Sequence, residues 1–231
     1  MKKKLLILSV ALLLTVLMWS ITYRTTNFNK ENEDELAELL KRVGNYEKEN
    51  KELRMQKGEE IIALVNGIPI YKNEVEYRKG LVEIAYGKRD DEFINSFAAI
   101  VRVKILSDFA EKNNIHVNDE EIFDYIKKEK ANEDLVKYVK IFCENAGMTL
   151  EEYWNEYEYE KVKLLLTLKK LEDSIIEQGI QKGEIPQISD YHIKQKYVKD
   201  FQNNLIEKAD IEIDQNYIEE LKGFNNEKLF K

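Results

Sequence analysis

The chain contains one cysteine, two prolines, two histidines and nine glycines in 231 residues. Each scarcity excludes something. Cys143 alone cannot close an intramolecular disulfide, and it has no thiol partner for a metal site. Free cysteines are among the most buried residue types, and Cys143 stands in the apolar pattern VKYVKIFCENAG, so it reads as a small core residue. His116 and His192 are too widely separated to give zinc-ligand spacing. His116 reads as a loop or packing residue, and His192 as a solvated position near a helix start. There is no G-x-S-x-G, P-loop or H-E-x-x-H motif. Carboxylate pairs such as Glu120/Glu121 and Glu151/Glu152 are ordinary among 44 Asp and Glu, and they sit where they complement helix N-termini. No catalytic, cofactor or metal residue is assigned, so neither an enzyme nor a cofactor is expected. A net charge of -8 leaves no basic face of the kind that sequence-independent nucleic-acid binding needs.

What is present is charge and helix-forming residues. Charged residues make up 35% of the chain, against about 25% in typical soluble domains. Few breakers and abundant Glu, Lys and Leu predict a mainly α fold. Lys2, Lys3 and Lys4 precede an apolar run from Leu5 to Ile21. That polarity predicts a cytoplasmic N-terminus with the remainder translocated. Ser20-Ile21-Thr22 makes a poor cleavage site, so an uncleaved signal anchor over 1–25 is favoured over a cleaved signal. The rest of the chain is then extracytoplasmic, on a single-pass membrane protein, or secreted if the signal is removed.

From 26 to 60 the sequence is polar and charged. Leu36, Leu39, Val43, Tyr46, Asn50 and Leu53 fall at heptad a and d positions, interrupted by Gly44. The segment reads as a solvated helical stalk, with a short coiled coil, and hence a homodimer, as the alternative. Beyond it the periodicity predicts helices over about 74–86, 91–113, 118 onward, 133–145, a long one opened by the Thr149/Glu152 capping box, and a last one from Ser189. Gly179 to Pro186 is the clearest break. Ile211-Glu212-Ile213 reads as a short strand, and 215–231 as a flexible tail.

The stretch IIALVNGIPIYKNEVE, from Ile61 to Glu76, reads as two short strands joined by an Asn66-Gly67 turn, with a helix capped by Asn73 to follow. Its residues Ala63, Val65, Asn66, Gly67, Ile70 and Glu74 resemble the opening of the SurA/PrsA-like chaperone N-terminal domain. Further along, Ala110, Ile115, Val117, Asp119, Glu120, Glu121 and Ile122 are similar to that family's second helix and the turn after it. Met148 to Tyr153 resembles the start of its long helix. The matched segments run in order from Ile61 to Ile175.

In SurA- and PrsA-like proteins a parvulin-type prolyl isomerase module comes next. Here SDYHIKQKYVKDFQNNL resembles the lead-in helix and runs straight into LIEKADIEID, which resembles the segment returning to the chaperone domain. The resemblance therefore implies a helical domain over 61–214, opened by a β-hairpin, with the C-terminal helix packed back on it and no isomerase module. It further implies a membrane-anchored, chaperone-like protein that binds unfolded or newly exported polypeptide without catalysis. An assembly protein docking one envelope partner is the alternative, and a prolyl isomerase-related protein a second. No client-binding residue is assigned.

Overall fold

A computed structural model describes residues 31–55, 58–225 and 229, and these are mainly helical with one three-stranded sheet. The apolar run expected to cross the membrane lies outside the described residues. Among the described residues no helix is long and apolar enough to cross a membrane. The elements in order are α1 (Glu31–Glu49), α2 (Lys51–Met55), β1 (Ile61–Val65), β2 (Ile68–Tyr71), α3 (Lys72–Tyr86), α4 (Glu92–Lys112), α5 (Asp119–Lys130) and α6 (Glu133–Ala146). There follow α7 (Leu150–Glu152), a π-helical turn (Tyr153–Tyr157), α8 (Glu158–Gln181), α9 (Tyr191–Glu207), β3 (Ile211–Ile213) and a 3-10 turn (Gln215–Tyr217).

Contacts divide the chain into two compact units, in place of the single domain expected over 61–214. The first holds residues 31–55, 76–92 and 118–165. Here the expected stalk is corrected, because α1 is part of the core. Leu36, Leu40, Val43 and Glu47 are buried, a stripe of helical period that faces α6. Two of the heptad positions, Leu39 and Tyr46, stay only half-buried. Gly44, read as an interruption, lies close against α6: a Cβ there would lie 2.7 Å from the Phe142 carbonyl oxygen. Leu135, Tyr138, Val139 and Phe142 supply the facing side of α6. Each fully buried aliphatic or Phe side chain in such a core contributes about 1.5–3 kcal/mol.

Helix boundaries in this unit follow short polar signals. Asn118 and Glu121 form a reciprocal capping box at α5, and Thr149 and Glu152 form another at α7. Asn132 caps α6, and Gly147 ends it in the left-handed conformation at φ 65°.

The second unit holds residues 58–75, 93–117, 166–225 and 229. Its sheet has the order β2-β1-β3, with both pairings antiparallel. Asn66 (φ 50°) and Gly67 (φ 79°) turn β1 into β2, as a two-residue hairpin requires. Ile62, Val65 and Ile70 pack with Val75, Phe97, Val101, Ile105 and Ile206 in one core. A second core joins Leu106 and Ala110 of α4 to Leu171 and Ile175 of α8 and Val198 of α9. The C-terminal helix is thus packed back on α4 and α8. α4 shows no exposed position from Phe93 to Ala110, since within this unit apolar layers cover more than one of its faces.

Three boundaries differ from expectation. α3 begins at Lys72, so Asn73 lies inside the first turn and Tyr71 N–H bonds Glu74 Oε2 at 3.4 Å. α9 begins at Tyr191, capped by Asp190 instead of Ser189. The expected loose tail from 215 is held down: Tyr217, Leu221 and Leu229 are buried in the first of the two cores, and Phe224 meets Phe97 edge-on at 4.9 Å.

Candidate functional site

The six motif residues come together around the hairpin, and every one of them has structural work. Ala63, Val65 and Ile70 are buried in the sheet core. Asn66 uses its side chain in two directions: its Nδ2 donates to Asp108 Oδ2 at 3.0 Å, and its Oδ1 accepts from Asp210 N–H at 3.0 Å. Its own N–H donates to Asp210 O at 2.8 Å. Glu74 pairs with Lys104 Nζ at 3.1 Å. The motif therefore fixes the turn and also ties the hairpin to α4 and to the chain entering β3.

Among the described residues no set of three His, Cys, Asp or Glu is placed to hold a metal ion. The His116 carbonyl accepts from Lys170 Nζ at 2.9 Å. His192 is exposed, with its ring 6.0 Å from that of Tyr191. Cys143 is buried, and desolvation, with the charge of Glu144, pushes its thiol pKa up to about 12.

The first unit contains a buried polar network that the sequence reading missed. Glu47, with a side chain only 1% exposed, is its hub. Its Oε1 accepts from the Tyr77 hydroxyl and from the Tyr157 hydroxyl, the latter at 2.7 Å. Its Oε2 pairs with Arg54 Nε at 3.2 Å. The Arg54 guanidinium and the Lys161 ammonium lie over the Tyr157 ring, at 4.9 and 3.7 Å from its centre. Burial is the largest cause raising the pKa of both Tyr77 and Tyr157, and the charge of Glu47 adds to it. Desolvation lowers the pKa of Lys161, opposed by Glu158 and Glu47.

Beside the hub, the π turn brings Tyr153, Trp154 and Tyr157 into the core. Tyr153 OH donates to the buried Glu158 at 2.7 Å. Glu129 is buried too, and desolvation together with the charge of Glu158 raises its pKa to about 8. In this network tyrosine hydroxyls donate into carboxylates inside the core, which clamps α1, α3 and the π turn together. The sequence held one signal for it. The apolar stripe of the long helix steps five residues between Tyr157 and Val162, where its other steps are three or four.

Two surfaces stand out as candidates for contact. In the first unit Phe123 is half-exposed and leans on Tyr159 at 5.6 Å. In the second, α8 and α9 form a helical hairpin: Gly179 sits against the Tyr197 ring, where an added Cβ would be 2.7 Å from Cε1. The turn at the tip is pinned. Gly183 takes φ 73°, Glu184 N–H donates to Gly179 O at 2.9 Å, Tyr197 OH donates to Glu184, and Ile185 is buried. Beyond that pin Ile188 is 97% exposed, Tyr191 70% and Ile193 44%.

No family model, curated protein or solved structure matches the chain.

Proposed function

We propose that this chain is a membrane-anchored, extracytoplasmic chaperone-like protein that binds unfolded or newly exported polypeptide and carries out no catalysis. The observation that carries the reading is the pairing of β3 with β1. Ala63 stands opposite Ile213, and Val65 opposite Ile211. The segment that resembles the return strand of the SurA/PrsA-like domain lies beside the strand that resembles its opening. Between the long helix and that return there is one helix, α9, and no further module. The ordered motif segments support the same reading.

The contacts such a protein needs are shallow, apolar and tolerant of sequence. Phe123 with Tyr159 offers one such surface in the first unit. The net charge of -8 keeps a complex with an aggregation-prone client in solution. The anchor is the apolar run Leu5 to Ile21 behind Lys2, Lys3 and Lys4.

Photocrosslinking from Phe123 in intact cells, followed by identification of what is captured, tests the reading. Many unrelated exported polypeptides are expected. Capture of one folded partner alone would replace the chaperone reading with a docking role in assembly. Protease added to intact cells tests the topology: cleavage beyond Lys30 is expected, and full protection would overturn it.

A further inference from the structure

We propose that the tip of the α8–α9 hairpin rests on an anionic bilayer surface, with Ile188 and Tyr191 entering the interface and the lysines around them meeting the head groups. Scattered exposed apolar residues need no explanation, but three of them within six positions, at the turn of a helical pair, do. Ile185, the Gly179 carbonyl and the Tyr197–Glu184 bond hold the turn on both sides, and the chain then presents Ile188 outward. The first turn of α9 exposes Tyr191, His192 and Ile193 on successive sides, so this end of the helix is bare all round. A helix end bare on every side suits entry into a surface rather than the enclosing of a peptide.

Charge favours the same occupant. Around the apolar tip stand Lys182, Lys194, Lys196 and Lys199, none of them ion-paired to a described residue. From 182 to 199 four lysines stand against two carboxylates, Glu184 and Asp190. Glu184 accepts from Tyr197, and Asp190 Oδ1 accepts from Ile193 N–H at 2.9 Å. In a chain of net charge -8, this end is locally cationic. An aliphatic and an aromatic side chain ringed by lysines match the two layers of a membrane interface: apolar groups reach the acyl boundary, and ammonium groups stay at head-group level.

The full chain tests this, labelled at Ile188→Cys with an environment-sensitive fluorophore. Position 188 is outside the core, and the buried, high-pKa thiol of Cys143 stays unlabelled. The protein is reconstituted into phosphatidylcholine vesicles with or without phosphatidylglycerol, and brominated acyl chains serve as quencher. With phosphatidylglycerol the emission is expected to shift blue and to be quenched, while a label at Glu212→Cys, past the far end of α9, is not. Changing Lys182, Lys194 and Lys196 to Gln is expected to lower the bound-to-free ratio of the tip about fivefold per lysine. Identical emission with and without phosphatidylglycerol overturns the proposal. So does a blue shift produced by a denatured client in the absence of anionic lipid. Because client binding is read separately, either proposal can fail while the other stands.

Discussion

Asn66 and Asp210 are joined by two hydrogen bonds across 144 positions of sequence: Asn66 N–H to Asp210 O at 2.8 Å, and Asp210 N–H to Asn66 Oδ1 at 3.0 Å. The hairpin turn is thereby latched to the residue that leads into β3. One residue serves as turn former and as latch. Asn tolerates the φ of 50°, and its amide reaches both Asp210 and Asp108.

Asn66→Ala removes both side-chain bonds and leaves a Cβ residue at positive φ. The expected loss is about 2 kcal/mol, one part from the bonds and one from the backbone. Asn66→Gly keeps the turn and loses only the bonds, so its cost is expected to be about half that. Urea midpoints at constant slope measure both. Equal costs for the two variants would show that the latch, and not the turn, carries the effect.

Gly44→Ala is expected to destabilise the first unit although Ala is the better helix former. The new methyl meets the Phe142 carbonyl oxygen at 2.7 Å and Asn145 Cβ at 2.8 Å, and neither is the end of a flexible side chain. A net loss of about 1–3 kcal/mol follows from overpacking. Thermal unfolding would show it as a lowered midpoint; a raised midpoint would mean that α1 does not pack on α6 in solution.

Glu47→Ala strips the hub from Arg54, Tyr77 and Tyr157 at once. Because Arg54 keeps 28% of its side-chain exposure and can turn to water, the cost is expected at about 2–3 kcal/mol, below the range for a fully buried pair. Tyr157→Phe removes one donor and keeps the ring under Arg54 and Lys161, for about 1 kcal/mol. Urea titrations of the two variants order them: a Tyr157→Phe loss as large as that of Glu47→Ala would assign the energy to the hydroxyl alone.

Glu129 gives the fold a pH dependence of definite sign. Its folded pKa, raised to about 8 by burial and by Glu158, lies above the unfolded value near 4.5. Folded protein therefore binds more protons than unfolded protein between those values, and stability falls as pH rises from about 5 to about 8. Glu129→Gln, neutral throughout, is expected to flatten that part of the profile. Urea midpoints across the same pH range for both proteins check it; parallel profiles would remove Glu129 as the source.

The helices after the hairpin were legible in the sequence because their signals are local. Asn118 with Glu121 and Thr149 with Glu152 mark their own N-termini, and Gly147 marks an end. What was not legible depended on partners distant in sequence. The polar 26–60 segment reads as a stalk until Leu36, Leu40 and Val43 are seen to face α6, roughly a hundred positions on. The tail reads as loose because Tyr217, Leu221 and Leu229 are sparse among polar residues, yet each is buried in one core. The Glu47 network was hidden for the same reason, since its donors come from positions 30 and 110 residues away. The hairpin motif was visible as a turn, and its latch to Asp210 was not.

The most direct test of the central claim follows the aggregation of a chemically denatured client by light scattering, with the full chain present in detergent. The account predicts a concentration-dependent delay that is weakened by Phe123→Ser in a chain that stays folded. Aggregation at the rate seen without the protein, at every ratio of chain to client, would contradict it.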